Sequence, residues 1–441
     1  MWDVIFCGLS FQSSDNERCV RRMGLVNSDH KTDSNHIVHR LIESINISKL
    51  LNILLVIVLC LYVIAGVYTA LPLILDKIPT LIFEDFLIYQ KAVELTFRGA
   101  NPFRTTGGDT NFFYPPPSLL VVEVFSHIKP FLLKVATYTT VNILLVVLMV
   151  RGVAKKYDYG IRDTWYWYVL CLGFAPFLEL LTIGQINVLT MFGIFVLFFW
   201  ENRSPIIAGL GLALAIITKV TPVLLFGYLL FNQKYRVILI TVMWVLILIG
   251  ATALRYGFSP LIRYPAAFQD LTDTFVLDKN SQSLVAKLVT IAMAGQPSPI
   301  SNYIIQNYQD IQTFLMGYLF LIICASILIA FFGKQPKEPV FIITVLAMML
   351  SPNVMWYHHY VFVLLPLLIW MGWSRLDKRV VVWCLVGLFT IQLDRWSPPY
   401  GLFNHLYCHI SLIVLLTWQI KEFRKINKRE ILAVFKKKTP A

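Results

Sequence analysis

The feature that most limits what this chain can become is a train of apolar runs between about residue 50 and residue 420, broken only by short polar or proline-marked segments. A helix needs about 20 apolar residues to cross a hydrocarbon core of about 30 Å, and several of these runs approach that length. Inside lipid every backbone N–H and C=O must find a partner within the protein, which leaves helices or closed barrels. Barrel strands would leave segments of roughly ten residues with alternating polarity, and the sequence shows none. Composition agrees: of 441 residues, 57% are hydrophobic and only 14% charged, and the mean hydropathy of +0.67 lies beyond the range of soluble domains. The expected fold is all-α, a polytopic membrane bundle of about 12 transmembrane helices.

The spans read from the runs are approximately 50–71, 131–150, 164–183, 185–200, 204–218, 221–232, 237–255, 311–332, 339–353, 358–373, 379–394 and 404–420. Several are shorter than a full crossing and must lean on neighbours or line a cavity. With a cytoplasmic N-terminus, the basic loops RGVAKKYDYGIRD, ENRS, NQKYR, GKQPKEP and SRLDKR and the tail KEFRKINKREILAVFKKK all fall on the cytoplasmic side, as the positive-inside rule requires. The net charge of +13 is thus a topology signal, and no nucleic acid is expected as a partner. The other side receives residues 72–130, the IGQIN turn, the TKVTP break, the loop from about 256 to 310, and the PNVMWYHH and DRWSPPYG turns. YPPPSLLVVEVFSHI is apolar, but it is short and carries Glu123, and counting it as a span would invert the loop holding Lys155 and Lys156. It is placed as a juxtamembrane or re-entrant helix on the non-cytoplasmic face, with SLVAKLVTIAMAG as a weaker second case.

The expected domains are a cytoplasmic, disordered tail over 1–48, a transmembrane catalytic domain over 49–420 and a basic cytoplasmic tail over 421–441. The first tail lacks the apolar core of a signal peptide, and Met23 is a candidate true start that N-terminal sequencing would test. Seven cysteines lie scattered without a metal-type spacing, so neither a disulfide framework nor a zinc site is read.

This orientation collects unusual polar residues at one set of membrane mouths: Asp85, Gln185, Asn187, Lys219, His358 and His359. Polar groups at such depth are costly unless they pair or serve, so their gathering marks a candidate site. In FEDFLIYQKAVELTFRGANPF, Phe86, Tyr89, Val93 and Phe97 recur at helical spacing, and Gly99 with Pro102 ends the helix. Asp85 then sits in the first turn, where the helix dipole favours an ionised carboxylate able to act as a base; a first-turn acid with no further duty would look the same. NFFYPPPS can form an aromatic wall suited to a sugar ring or lipid, or an interfacial anchor. Lys219, before the helix-breaking Pro222, can meet a phosphate or snorkel to the surface. His358 and His359 are adjacent, so at most one is expected to face the cavity, where it could donate to a phosphate oxygen; a histidine satisfied in the interface is the alternative. Gln185 and Asn187 can bond a sugar hydroxyl or cap a helix. DxD, Walker, GxGxxG and GxSxG motifs are missing, so nucleotide chemistry has no anchor in the sequence. A carboxylate opposite phosphate-capable donors suits group transfer from a lipid phosphate to a hydroxyl.

The ordered series DFLIYQKAVELTFRGANPF, FFYPPPSLL, IGQINVL, AGLGLALAIITKVTPVLL and LSPNVMWYHHYVFVLLPLL resembles the polyprenyl-phosphate-mannose-dependent alpha-1,2-mannosyltransferases of the GT-C superfamily, over about residues 50–375. The resemblance implies a multi-pass cell-membrane enzyme of GT-C-like architecture, with extracytoplasmic juxtamembrane helices and an extracytoplasmic site. It implies transfer of a hexose, mannose first, from a polyprenyl-phosphate sugar to a glycolipid or glycan hydroxyl, with inversion and without metal or other cofactor. Asp85 becomes the general base. Lys219, His358 and His359 become the donor-phosphate ligands, with His358 preferred of the two. Tyr89, Asn101, Phe113, Tyr114, Gln185, Asn187 and Trp356 become the substrate-binding set. The N-terminal tail departs from the family pattern, and the loop around NSQSL matches it only loosely, leaving the acceptor open. The competing functions are a flippase or transporter of a lipid-linked saccharide and another lipid-phosphate enzyme such as an O-antigen-type ligase. No inverted repeat supports the transporter, and the polar residues crowd one face instead of the midplane.

Overall fold

A computed structural model describes residues 56–68, 83–103, 112–275, 281–295, 298–352, 354–393 and 402–437. The tail over 1–48, Met23 and the DRWSPPYG turn lie outside the described residues. The chain divides into two units, residues 1–64 and 65–441, and of the first only the opening of helix α1 (Val56–Tyr68) is described. All regular structure among the described residues is helical.

After the end of α1, the described part of the second unit continues with two short helices, α2 (Glu84–Phe97) and α3 (Ser118–Ser126). Nine residues of α3 rise only about 14 Å, too little to cross a bilayer, which agrees with a helix lying at the membrane surface. Then come α4 (Phe131–Lys156), the pair α5 (Ile161–Leu172) and α6 (Ala175–Ile183), α7 (Asn187–Trp200) and α8 (Pro205–Thr218). A 3-10 turn (Thr221–Leu224) leads into α9 (Leu225–Phe231), followed by α10 (Tyr235–Tyr256), α11 (Ser259–Phe275), α12 (Leu284–Ala294) and α13 (Pro299–Gln306). The chain closes with α14 (Tyr308–Phe332), α15 (Lys337–Leu350), a second 3-10 segment (Tyr357–Val363), α16 (Leu364–Trp373), α17 (Lys378–Leu393) and α18 (Leu402–Lys437).

Three helices, α4, α10 and α14, are individually long and apolar enough to cross a membrane. The expected span 164–183 is instead two helices bent by 53° at Gly173–Phe174, and the runs at 221–232 and 358–373 each begin as 3-10 turns. The expected boundary at residue 420 falls inside the continuous helix α18.

Small residues set the crossing of α7, α8 and α10. A Cβ on Gly193 of α7 would collide with the Gly211 carbonyl of α8, and one on Gly211 would stand 2.7 Å from Val196. Gly209, two residues away on another face of α8, admits Ile240 of α10, where an added Cβ would find it at 2.7 Å. The run AGLGLALA therefore lets α8 pack tightly between α7 and α10, as small residues do in membranes where lipid is as apolar as leucine. At the far end of the crossing the Thr190 and Thr218 hydroxyls meet at 2.8 Å, tying the start of α7 to the end of α8.

The polar loops sort to one end. Lys337 pairs with Glu201, Lys156 lies 3.9 Å from Glu338, the Tyr228 hydroxyl donates to Glu201 at 2.9 Å, and that of Tyr157 to Glu338 at 3.4 Å. These contacts join the segments around ENRS, GKQPKEP, NQKYR and RGVAKKYDYGIRD, which the charge pattern assigned to a common side. The opposite ends of the same helices carry the candidate site.

Candidate active site

The turn between α6 and α7 organises the site. Gly184 has φ +75°, and a Cβ there would lie 2.7 Å from Cβ of Phe86, so glycine is needed both for the left-handed backbone and for the approach of α2. The Phe83 N–H also donates to the Thr182 carbonyl at 2.9 Å, fastening the start of α2 to the end of α6. Phe83 and Phe86 pack on Tyr138 of α4, with ring centroids 5.4 and 5.3 Å away, and Phe125 of α3 closes on the same ring at 5.3 Å. Each buried phenylalanine contributes about 1.5–3 kcal/mol of apolar burial, which holds α2 in place. Asp85, in the first turn of α2 as expected, is thereby set against the α6–α7 turn.

There the Gln185 carboxamide nitrogen donates to Oδ2 of Asp85. Its oxygen accepts from the Tyr89 hydroxyl at 2.8 Å and the Tyr114 hydroxyl at 2.7 Å. This fixes the amide orientation, because the flipped amide would turn its oxygen on a carboxylate and its N–H groups on two hydroxyl donors. Burial, aided by the Asp85 charge, pushes both phenols well above their ordinary pKa of 10.0, so both stay protonated donors. Behind Tyr89 an apolar cavity of about 60 Å³ lies between α2, α3, α4 and α7, walled by Phe86, Val122, Phe125, Tyr138 and Ile186.

A second cluster forms where the 3-10 segment 357–363 packs on α6 and α7. Lys219 caps α8 in an extended conformation, and its Nζ stands 5.1 Å over the Phe362 ring. The rings of His358 and His359 are 4.8 Å apart. Nδ1 of His359 accepts from the Trp356 N–H at 3.2 Å, closing the first turn of its own segment. His358 is 5% exposed, its Nδ1 is 3.9 Å from Oε1 of Glu179, and its Nε2 is buried without a partner. Asn187, at the start of α7, is fully buried with both carboxamide atoms unpartnered, and such groups ordinarily have a partner or a ligand.

The sequence-expected residues thus fall into two groups, Asp85, Tyr89, Tyr114 and Gln185 in one and Lys219, His358 and His359 in the other. The segment 179–187 touches both. Phe113 and Trp356 are half-buried beside Tyr114 and His359 in the chain, whereas Asn101 turns its carboxamide oxygen to the Phe103 N–H at 3.1 Å, closing its own loop. Sequence reasoning missed Glu179, although it is the lone charged residue between Asp163 and Glu201, a signal in itself. It also used Glu123 only to reject a span. Glu123 accepts from Nη2 of Arg255 at 2.5 Å and from the Tyr256 hydroxyl at 2.5 Å, and these hydrogen bonds hold its pKa down to about 2 against an opposing effect of burial. Arg255 in turn covers the Phe97 ring at 4.7 Å, so this pair braces the end of α2 against α10.

No curated protein matches the chain. Residues 112–352 match the family model of glycosyltransferase family 87, a stretch that includes Gln185, Asn187 and Lys219 and leaves Asp85, Trp356, His358 and His359 outside it. The match spans 241 residues (112 to 352 inclusive) of 441, more than half of the protein, and the chain belongs to glycosyltransferase family 87, a group of GT-C-type membrane glycosyltransferases.

Proposed function

We propose that this glycosyltransferase moves a hexose, mannose first, from polyprenyl phosphate to a hydroxyl of a glycolipid or glycan on the extracytoplasmic face of the cell membrane, with inversion at the anomeric carbon. The observation that carries this reading is the orientation of Asp85 by an amide that two un-ionised phenols hold in place. Asp85 takes the proton of the acceptor hydroxyl while that oxygen attacks the anomeric carbon from the face opposite the phosphate. The bond from the anomeric carbon to the phosphate oxygen breaks, its electron pair stays on the phosphate, and Lys219 with His358 stabilises the charge that grows there. The phenols and Gln185 hold the base at the acceptor, and the unpartnered carboxamide of Asn187 is available to the sugar or phosphate. Tyr89, Phe113, Tyr114 and Trp356 supply the flat faces and hydroxyls that a sugar ring requires, and Asn101 shapes the loop that follows α2.

The test is transfer from a radiolabelled polyprenyl-phosphate hexose to membrane lipid by the purified full chain. Asp85→Asn is expected to lower transfer by about 10²–10⁴-fold while leaving the thermal unfolding midpoint unchanged. Full activity in that variant would remove Asp85 as the base. Movement of the lipid between leaflets without sugar transfer by the wild type would replace the enzyme with a flippase.

A further inference from the structure

We infer that Glu179 is a positioning residue that acts through His358, presenting its Nε2 to the donor phosphate. The inference rests on the donor reading above and adds to it a residue that the motifs do not contain.

Glu179 lies on α6, one and a half turns before Gly184, so the segment that brings Gln185 to Asp85 also carries this second carboxylate toward the 3-10 segment 357–363. Its Oε1 is 3.9 Å from Nδ1 of His358, outside hydrogen-bond reach but within that of an ion pair. Both side chains are largely buried. In so enclosed a place a carboxylate on the Nδ1 side favours a proton on that nitrogen.

What remains is Nε2, buried and without a partner. With Nδ1 facing Glu179, Nε2 is the atom left for an oxygen of a phosphate entering beside Lys219, to which it donates once both ring nitrogens carry hydrogen. His359 is arranged differently: Trp356 N–H donates to its Nδ1, so that ring serves the backbone. The geometry therefore distinguishes the two adjacent histidines. As the sugar departs, the phosphate gains a second negative charge, and a carboxylate facing Nδ1 holds the ring in the orientation in which Nε2 meets that charge.

The experiment uses the full chain in lipid nanodiscs, with polyprenyl-phosphate mannose as donor, and compares wild type, Glu179→Gln and Glu179→Asp. Glu179→Gln is expected to lower kcat by about 10–100-fold with the acceptor KM within about twofold, and Glu179→Asp to recover part of the loss. In parallel, 15N-histidine spectra of the ligand-free protein, with His358 assigned from a His358→Gln sample, are expected to show Nδ1 protonated in wild type and the proton redistributed in Glu179→Gln. An unchanged His358 signal in Glu179→Gln, or a kcat within about twofold of wild type, overturns the inference. If wild type transfers no sugar from this donor, the donor reading fails and the spectra alone decide whether Glu179 governs His358. A variant with a lowered unfolding midpoint but an unchanged His358 signal marks Glu179 as structural and also overturns it.

Discussion

The two ends of the bundle use charge in opposite ways. At the end that holds the basic loops, Glu201, Glu338, Lys156 and Lys337 answer one another, two acids to two bases, with the Tyr228 and Tyr157 hydroxyls filling further acceptor positions. At the other end charge also meets neutral groups: Asp85 accepts from the Gln185 amide, and Lys219 lies over the face of an aromatic ring. A charge matched within the protein is committed to the fold. A charge set against dipoles and π-faces keeps more of its field, and burying it there carries a desolvation cost.

This contrast can be broken by neutralising one charge at each end. Glu201→Gln leaves Lys337 without its counter-ion beside a side chain with 0% exposure, and is expected to destabilise the protein by about 3–5 kcal/mol, read from chemical denaturation in detergent. Transfer per folded molecule should stay within about twofold. Lys219→Met should do the reverse, lowering transfer by about 10²–10³-fold with an unfolding midpoint equal to or above that of wild type. Loss of stability in the second variant, or of turnover in the first, would collapse the distinction.

Glu123 tests an intermediate case, a matched pair near the site. Its pKa is depressed from an ordinary 4.5 to about 2, so the carboxylate binds its proton more readily in the unfolded chain. The stabilisation it gives is complete above about pH 4.5 and fades as pH falls toward about 2. The stability gap between wild type and Glu123→Gln should therefore narrow over that window and stay constant from pH 5 to pH 8 in denaturation measured at several pH values. The smallest expected effect belongs to Tyr114→Phe, which removes one of two donors to Gln185 and should cost about 0.5–1.5 kcal/mol of transition-state stabilisation, seen as a several-fold fall in kcat.

The sequence made most of this arrangement readable for a physical reason: helix breakers act locally. Gly99, Gly184 and Pro222 each end or interrupt a helix where expected, because φ, ring closure and a missing Cβ are properties of one residue. The meeting of several basic loops at one end was readable because the charge pattern groups them. The bend at Gly173–Phe174 was hidden, since an apolar run has the same hydropathy straight or folded. Pairings over long separations were hidden for the same kind of reason. Asp85 and Gln185 are 100 residues apart and Glu123 and Arg255 132, and nothing in either member's surroundings names its partner. Glu179 shows the middle ground: a solitary acid in an apolar stretch announces that it has a duty, but only the folded chain says that His358 is its neighbour.

One short segment reaches both polar clusters, Glu179 to the imidazole and Gln185 to the carboxylate. On a helix each residue turns the chain by about 100°, so one residue inserted between positions 179 and 185 would swing one side chain out of register with the other. That stretch is a ruler whose length cannot drift, whereas the ENRS turn at the opposite end could be lengthened without altering the spacing of either group.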